Sequence, residues 1–192
     1  SRSGEFQAQG DRRALEASVS GTVTPPGQDD ESPVELDLRA SRLDTQPRIT
    51  GSAQLPYFAF GDMTARGIEV DVDVRAAGDT ASNVRVTAAE LRAGGRAATG
   101  LALRASGTPA RHEVELNTSI DGWAVATAVA GSYEDNRWTG SIERLTADAP
   151  EASNAGRWEL AQPVPAAWSP SRTEIDELCL RSGSTELCAD GY

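Results

Sequence analysis

What most constrains this chain is a period-two alternation of apolar and polar residues that recurs along its length. VELDLRA (34–40), IEVDVDVRA (68–76), VRVTA (84–88), LALRA (101–105) and EVELN (113–117) all show it. Period two with Asp, Glu, Arg, Ser and Thr between the apolar residues describes strands with one dry face and one wet face. The breaks carry turn chemistry: PPGQDDESP at 25–33, AAGDTASN at 76–83, AGG at 93–95, ASGTPA at 105–110, DG at 121–122, EDN at 134–136 and PEASNAG at 150–156. Connections this short favour an antiparallel meander, because parallel neighbours need long crossovers. QGDRRALEASV near the start fits a strand through Leu15, Ala17, Val19, Gly21 and Val23 better than a helix. With no amphipathic helix available, the dry face has to close on a second sheet, close into a barrel or curl into a trough. Aromatic residues make up only 5%, and many inward positions are Ala, Gly or Thr, small for a densely filled sandwich. Composition alone does not choose among the three.

The 18 basic residues are all arginine and face 29 acidic ones, for a formal charge of −11. Acidic side chains spread along the chain repel phosphate backbones and anionic headgroups, which argues against nucleic-acid binding and peripheral membrane docking. No apolar run has the ~18 residues of a membrane-spanning helix, and no signal peptide is recognised. The opening SRSGEF reads as a cloning remnant. Residues 1–10 are therefore set aside as disordered, leaving 11–192 as one repeat-strand domain cut from a longer protein.

The two cysteines, Cys179 and Cys188, bracket CLRSGSTELC. A two-residue turn at Gly183-Ser184, of type II′, pairs Ser182 with Thr185, Arg181 with Glu186, Leu180 with Leu187 and Cys179 with Cys188. The cysteines then fall at a non-hydrogen-bonded pair, where Cα atoms lie about 4.5 Å apart, within the reach of a disulfide. The same register puts Leu178, Leu180, Leu187 and Ala189 on one face. Glu177, Arg181, Glu186 and Asp190 join the cysteines on the other. Closing a loop of about ten residues should stabilise the hairpin by roughly 2.5–3 kcal/mol in the chain-entropy model. A redox pair would read C-x-x-C beside a helix, and a zinc site needs more than two thiols. A structural disulfide implies an oxidising compartment, the periplasm or the cell exterior.

Catalytic chemistry is hard to assemble from these residues. The single histidine, His112, reads as a surface residue among the wet positions, without an orienting carboxylate or a nucleophile. Asp71 and Asp73 read as a solvated strand edge, and GDMTARG and AGGRAATG have glycines but no phosphate-loop pattern. No enzymatic activity, cofactor or metal is expected. Trp123, Trp138, Trp158 and Trp168 either stack a sugar or base, or plug the wider parts of the apolar face; the second reading is favoured.

The C-terminal third adds an ordered set of motifs: RWTGSIERL (137–145), GRWELAQPVP (156–165) and ELCLRSGSTELCADGY (177–192). A W-x-G-x-[LI] strand, a W-x-L-x-x-P strand, then a cysteine pair closing on L-C and a terminal aromatic resemble the middle section of the TamB family, the translocation and assembly module subunit of the bacterial envelope. The resemblance implies an AsmA-like, bridge-type lipid transfer protein in the periplasm, anchored in the inner membrane in full length. Its strands would curl into an open taco-like trough with an apolar interior. Phospholipid acyl chains would be the ligand and a TamA-like outer-membrane barrel protein the partner, in support of autotransporter and outer-membrane protein assembly. The expected lipid-binding floor is Val34, Leu36, Leu38, Ile68, Val70, Val72, Val74, Val84, Val86, Leu101, Leu103, Val114, Leu116, Ile142, Leu160, Leu178, Leu180 and Leu187. Each buried CH₂ is worth about 0.8 kcal/mol, which makes such a face attractive to acyl chains without a specific polar grip. The alternatives are a module that captures unfolded outer-membrane strands by edge pairing, and a closed sandwich acting as a plain spacer.

Overall fold

The computed structural model describes residues 2–11, 14–23, 32–42, 46–75 and 80–190, and among them no helix occurs. The elements are strands throughout: β1 (Arg2–Gly10), β2 (Ala14–Val23), β3 (Ser32–Ser41), β4 (Arg48–Phe60), β5 (Met63–Arg75), β6 (Ser82–Ala93), β7 (Arg96–Thr108) and β8 (Arg111–Ile120). They continue as β9 (Trp123–Glu134), β10 (Arg137–Asp148), β11 (Arg157–Leu160), β12 (Val164–Ser169), β13 (Arg172–Ile175), β14 (Leu178–Ser182) and β15 (Thr185–Ala189). All belong to one sheet, in which β1 to β11 follow chain order and β14 and β15 extend the path. Every pairing is antiparallel. The sheet is an open meander, not a barrel, and there is no second sheet among the described residues to make the closed sandwich of the spacer alternative.

The sheet forks at β10. One half of its outer edge, residues 138–142, pairs with β12, and the other half, 146–148, pairs with β11. β13 continues the first branch and the β14–β15 hairpin continues the second. Val164 sits where the branches part, opposite Ile142, and is 1% exposed. Few other apolar side chains are buried that completely, and those are alanines: Ala65, Ala88 and Ala128. The accessible surface of 12817 Å² exceeds the ~8,800 Å² of a compact monomer of 20.2 kDa. A face without a lid accounts for the excess.

Local turn chemistry behaves as read. Asp121-Gly122 and Asp135-Asn136 have positive φ at both central positions (50° and 86°, 49° and 62°), the geometry of type I′ hairpins. The 105–110 break is shorter than expected: β7 runs on to Thr108 and only Pro109-Ala110 turns. Most of 25–33 and the first half of 76–83 lie outside the described residues. Residues 2–10, set aside above as a remnant, run as β1 along the whole of β2, with Phe6 opposite Val19.

The terminal hairpin has the register deduced from its two-residue turn. Ser182 pairs with Thr185, Arg181 with Glu186, Leu180 with Leu187 and Cys179 with Cys188. Gly183 has φ 57°, and the cysteines form a disulfide with Cα atoms 4.1 Å apart. Arg181 and Glu186 form an ion pair at 3.0 Å. Glu177 lies within 4.8 Å of both sulfurs, but disulfide sulfurs are not thiolates and the group is no metal site.

Two strands escaped the alternation rule. β4 places Gly51 and Ala53 where its neighbours have valine and leucine, and it contains Pro56. β9 is apolar at nearly every position, so no period shows.

A slip in the alternation crosses the sheet as a line. Pro56 of β4, Gly67 of β5, Ala89 of β6 and Gly100 of β7 lie at one level, with φ of +58° at Gly67 and +61° at Gly100. On each of these strands the apolar residues step by three instead of two there: Leu55 to Phe58, Ala65 to Ile68, Ala88 to Leu91 and Ala98 to Leu101. The line ends as a bulge, with the β7–β8 register shifting between Thr99 and Ala102. Phe58, Ala65, Leu91 and Ala98 follow one another as cross-strand partners and reach Ile120 of β8, which shares the face of Val114 and Leu116. The extra residue thus returns the apolar set to one face, as β-bulges do.

Reducing the Cys179–Cys188 bond is expected to accelerate amide exchange at Leu180 and Leu187 by about 50- to 150-fold. That range corresponds to the ~2.5–3 kcal/mol of loop closure. Exchange rates that do not change on reduction would show that the clip contributes nothing to the hairpin.

Candidate functional site

Cross-strand partners project to the same face, so the registers define the surface. One row runs Phe6, Val19, Leu36, Ala53, Val70, Val86, Leu103, Leu116, Thr127 and Leu145, each the partner of the next. The neighbouring row runs Ala8, Ala17, Leu38, Gly51, Val72, Val84, Ala105, Val114, Val129, Ile142 and Val164. Rows of this kind, apolar but for Thr127, extend from the first strand to the fork. Both lie on one side, and no element among the described residues packs over them.

The residues expected to form the floor lie on that side of the sheet. Leu36, Val70, Val86, Leu103 and Leu116 occupy the first row, and Leu38, Val72, Val84, Val114 and Ile142 the second. Val34 pairs with Gly21, Val74 with Ile49, Ile68 with Leu55 and Ala88, and Leu101 with Ala88. Leu160, Leu180 and Leu187 form a short row on the disulfide branch, with Leu178 opposite Ala189. That row is joined to the rest through Ala147 and Trp158, and Leu187 is 63% exposed at the sheet edge. Residues missed in sequence include Ile49, Leu55, Val125, Val129, Leu145 and Val164. The three-residue steps and the two-sided apolarity of β9 hid them; the step from Ile142 to Leu145, at a bulge in β10, was the available signal.

His112 is corrected by the structure. It pairs with Gly107 and Gly131 and sits in the phase of Val114 and Leu116, so it belongs to the apolar side and is half-buried. Its Nε2 accepts a hydrogen bond from Trp138 Nε1 at 2.8 Å, and its Nδ1 lies 3.2 Å from the Thr108 carbonyl oxygen. The pair of contacts defines a neutral imidazole protonated at Nδ1. Both nitrogens are occupied structurally, which leaves neither for acid–base work.

The Trp138 ring lies flat across two glycines. A Cβ at Gly131 or Gly140 would come within 2.7 Å of its six-membered ring. Those glycines, partners of each other, make the bed on which the indole rests. All four tryptophans share the apolar side: Trp123 opposite Ile120, Trp158 opposite Ala147, and Trp138 opposite Trp168.

The opposite side is charged. Asp37, Ser52, Asp71, Arg85, Arg104 and Glu115 form one of its rows. Two open clefts lie mainly on that polar side, of about 590 Å³ over β1–β4 and about 700 Å³ over β5–β8. Charged and neutral polar residues dominate their linings, with Ala17 and Leu38 in the first and Val72, Val84 and Ala105 in the second. Asp71 and Asp73 lie here on an inner strand, not at a sheet edge. Asp73 accepts a bidentate pair of hydrogen bonds from Arg48, at 2.8 and 2.7 Å.

The family model described as TamB, N-terminal domain, matches residues 15–192. The chain belongs to the TamB family. The match takes in the upstream strands as well as the C-terminal motifs, so the β2–β9 meander is as much TamB as the tryptophan and cysteine strands. Comparison with curated proteins and with solved structures gave no match. Membership implies a role in TamB-mediated functions of the cell envelope, in a family not known for enzymatic activity.

Two expected outcomes test the site's construction. Gly140→Val should dislodge Trp138 and also press on the Ala130 carbonyl oxygen and the Gly131 Cα, costing at least the ~1–3 kcal/mol of overpacking, with a red shift in tryptophan emission; unchanged emission and melting would contradict the glycine bed. Hydrogen bonding to Arg48 holds the Asp73 carboxyl below its ordinary 3.8. The stability this contributes is fully present above that ordinary value and is lost as pH falls through the lowered one. Arg48→Ala should move the Asp73 midpoint up, read by carboxyl-carbon NMR, and an unmoved midpoint would remove Arg48 as the cause.

Proposed function

We propose that the apolar side of this TamB-family sheet carries phospholipid acyl chains across the periplasm, as a segment of a longer protein held in the inner membrane. The observation that carries the proposal is the pair of rows from β1 to the fork, apolar except at Thr127 and uncovered by any other element among the described residues. Exposed apolar area of this extent marks a place where something else docks. An acyl chain gains about 0.8 kcal/mol for each CH₂ moved from water onto it. The rows hold no ionic group that would fix a headgroup, so a lipid has no deep minimum to escape and moves from strand to strand. In this reading the envelope role of the family is lipid supply to the outer membrane. A TamA-like barrel protein is met through other parts of the full-length chain, and help with outer-membrane protein assembly follows from that junction.

Val72→Asp and Leu103→Arg place a charge in the middle of the two rows while leaving the backbone ladder intact. Both variants should stay folded and lose at least tenfold of the labelling by a photo-crosslinkable phospholipid. Wild-type labelling in either would count against the conduit.

A second reading has its own observation. The outer edge of β15 and the stretch of β4 beyond its pairing with β3 present unpaired strand edges, the geometry used in β-strand addition. Strand capture predicts that peptides from outer-membrane barrel strands shift amide signals at residues 185–189 and are not displaced by detergent.

A further inference from the structure

Tyr133, Trp138 and Trp168 form a row of three consecutive cross-strand partners on β9, β10 and β12. They stand on the apolar side, at its boundary with the charged turn at 135–136. Tyr133 and Trp168 are 41% and 49% exposed. Two of the polar groups in the row are already engaged: the Tyr133 hydroxyl donates to Asn136 Oδ1 at 3.0 Å and the Trp138 N–H to His112. Those two rings are therefore held in place, and what the row offers a ligand is flat, half-wet aromatic surface. Tyrosine and tryptophan gather at that kind of border in membranes, between hydrocarbon and headgroup. At the same end, but in the opposite phase and so on the polar side, stand Arg111, Arg137 and Arg172, the last two both held by Glu174.

Resting on the conduit reading, we propose that this aromatic row sets the orientation of the bound lipid. The glycerol and ester level of a diacyl phospholipid lies against Tyr133 and Trp168, the phosphate stays in water at the 135–136 turn, and the tails run along the strands toward Val125. The span suffices: the eight residues from Val125 to Tyr133 cover about 26 Å at ~3.3 Å per residue, more than the ~15 Å depth of one leaflet of a bilayer's hydrocarbon core. Lipids would thus lie side by side across the strands, all with heads at the aromatic end, and slide sideways from strand to strand without turning over.

The test uses wild-type protein and two phosphatidylcholines, one with a diazirine next to the ester and one with it near the chain terminus, mapped by peptide mass spectrometry. The ester-level probe is expected to label residues 131–140 and 164–172 at least fivefold over 118–127, and the chain-end probe the reverse. Trp168→Ala should erase that bias while total labelling persists. Labelling with no positional bias, or with the opposite one, overturns the aromatic row and leaves the conduit standing. No labelling by either probe overturns the conduit and the orientation together.

Discussion

The backbone ladder is the constraint on which everything else rests. A meander of fifteen strands fixes each residue's face through its partners, and a slip of one residue would move a whole apolar set into water. The apolar rows stay in phase across so many strands because every strand carries the same dry–wet alternation, and because departures from it come with a compensating device. The line from Pro56 to Gly100 is such a device, and the bulge at Glu143 and Arg144 is another. Without them the rows would change side part-way across the sheet.

The second consequence concerns size. Alanine, glycine and threonine recur where a sandwich would place leucine or phenylalanine, and the residues that are fully enclosed are mostly small. A dry face paved with small side chains is smooth. It packs poorly against a matching sheet, and it leaves room for flexible hydrocarbon, which conforms to any surface. The tryptophans are kept near the ends of strands, where Trp138 needs two glycines to lie flat. The charged side acts in the opposite sense. Its ion pairs and clefts keep the sheet wet there and favour neither hydrocarbon nor nucleic acid.

His112 and Trp138 show how far sequence patterns carry. A histidine between arginine and glutamate, ARHEVEL, looks solvent-facing. Yet the phase of Val114 and Leu116 already placed it on the dry side, and only the pairing with Gly131 and Gly140 brings the indole N–H to its Nε2. Glycines opposite one another on neighbouring strands were the available clue. The terminal hairpin was legible to the residue, because turn type, register and face are all local properties of ten consecutive residues.

The sequence by itself determined the strand class, the antiparallel order, the two-faced character of each strand and the disulfide, since period-two patterning and two-residue turns act over short separations. The tertiary structure alone decided that the sheet forks at β10, that β4 and β9 belong to it as full members, that residues 2–10 extend it, and that nothing among the described residues covers the dry side. Those outcomes depend on which distant edges find hydrogen-bond partners, and on backbone kinks at Gly67 and Gly100 whose effect is felt only across several strands at once.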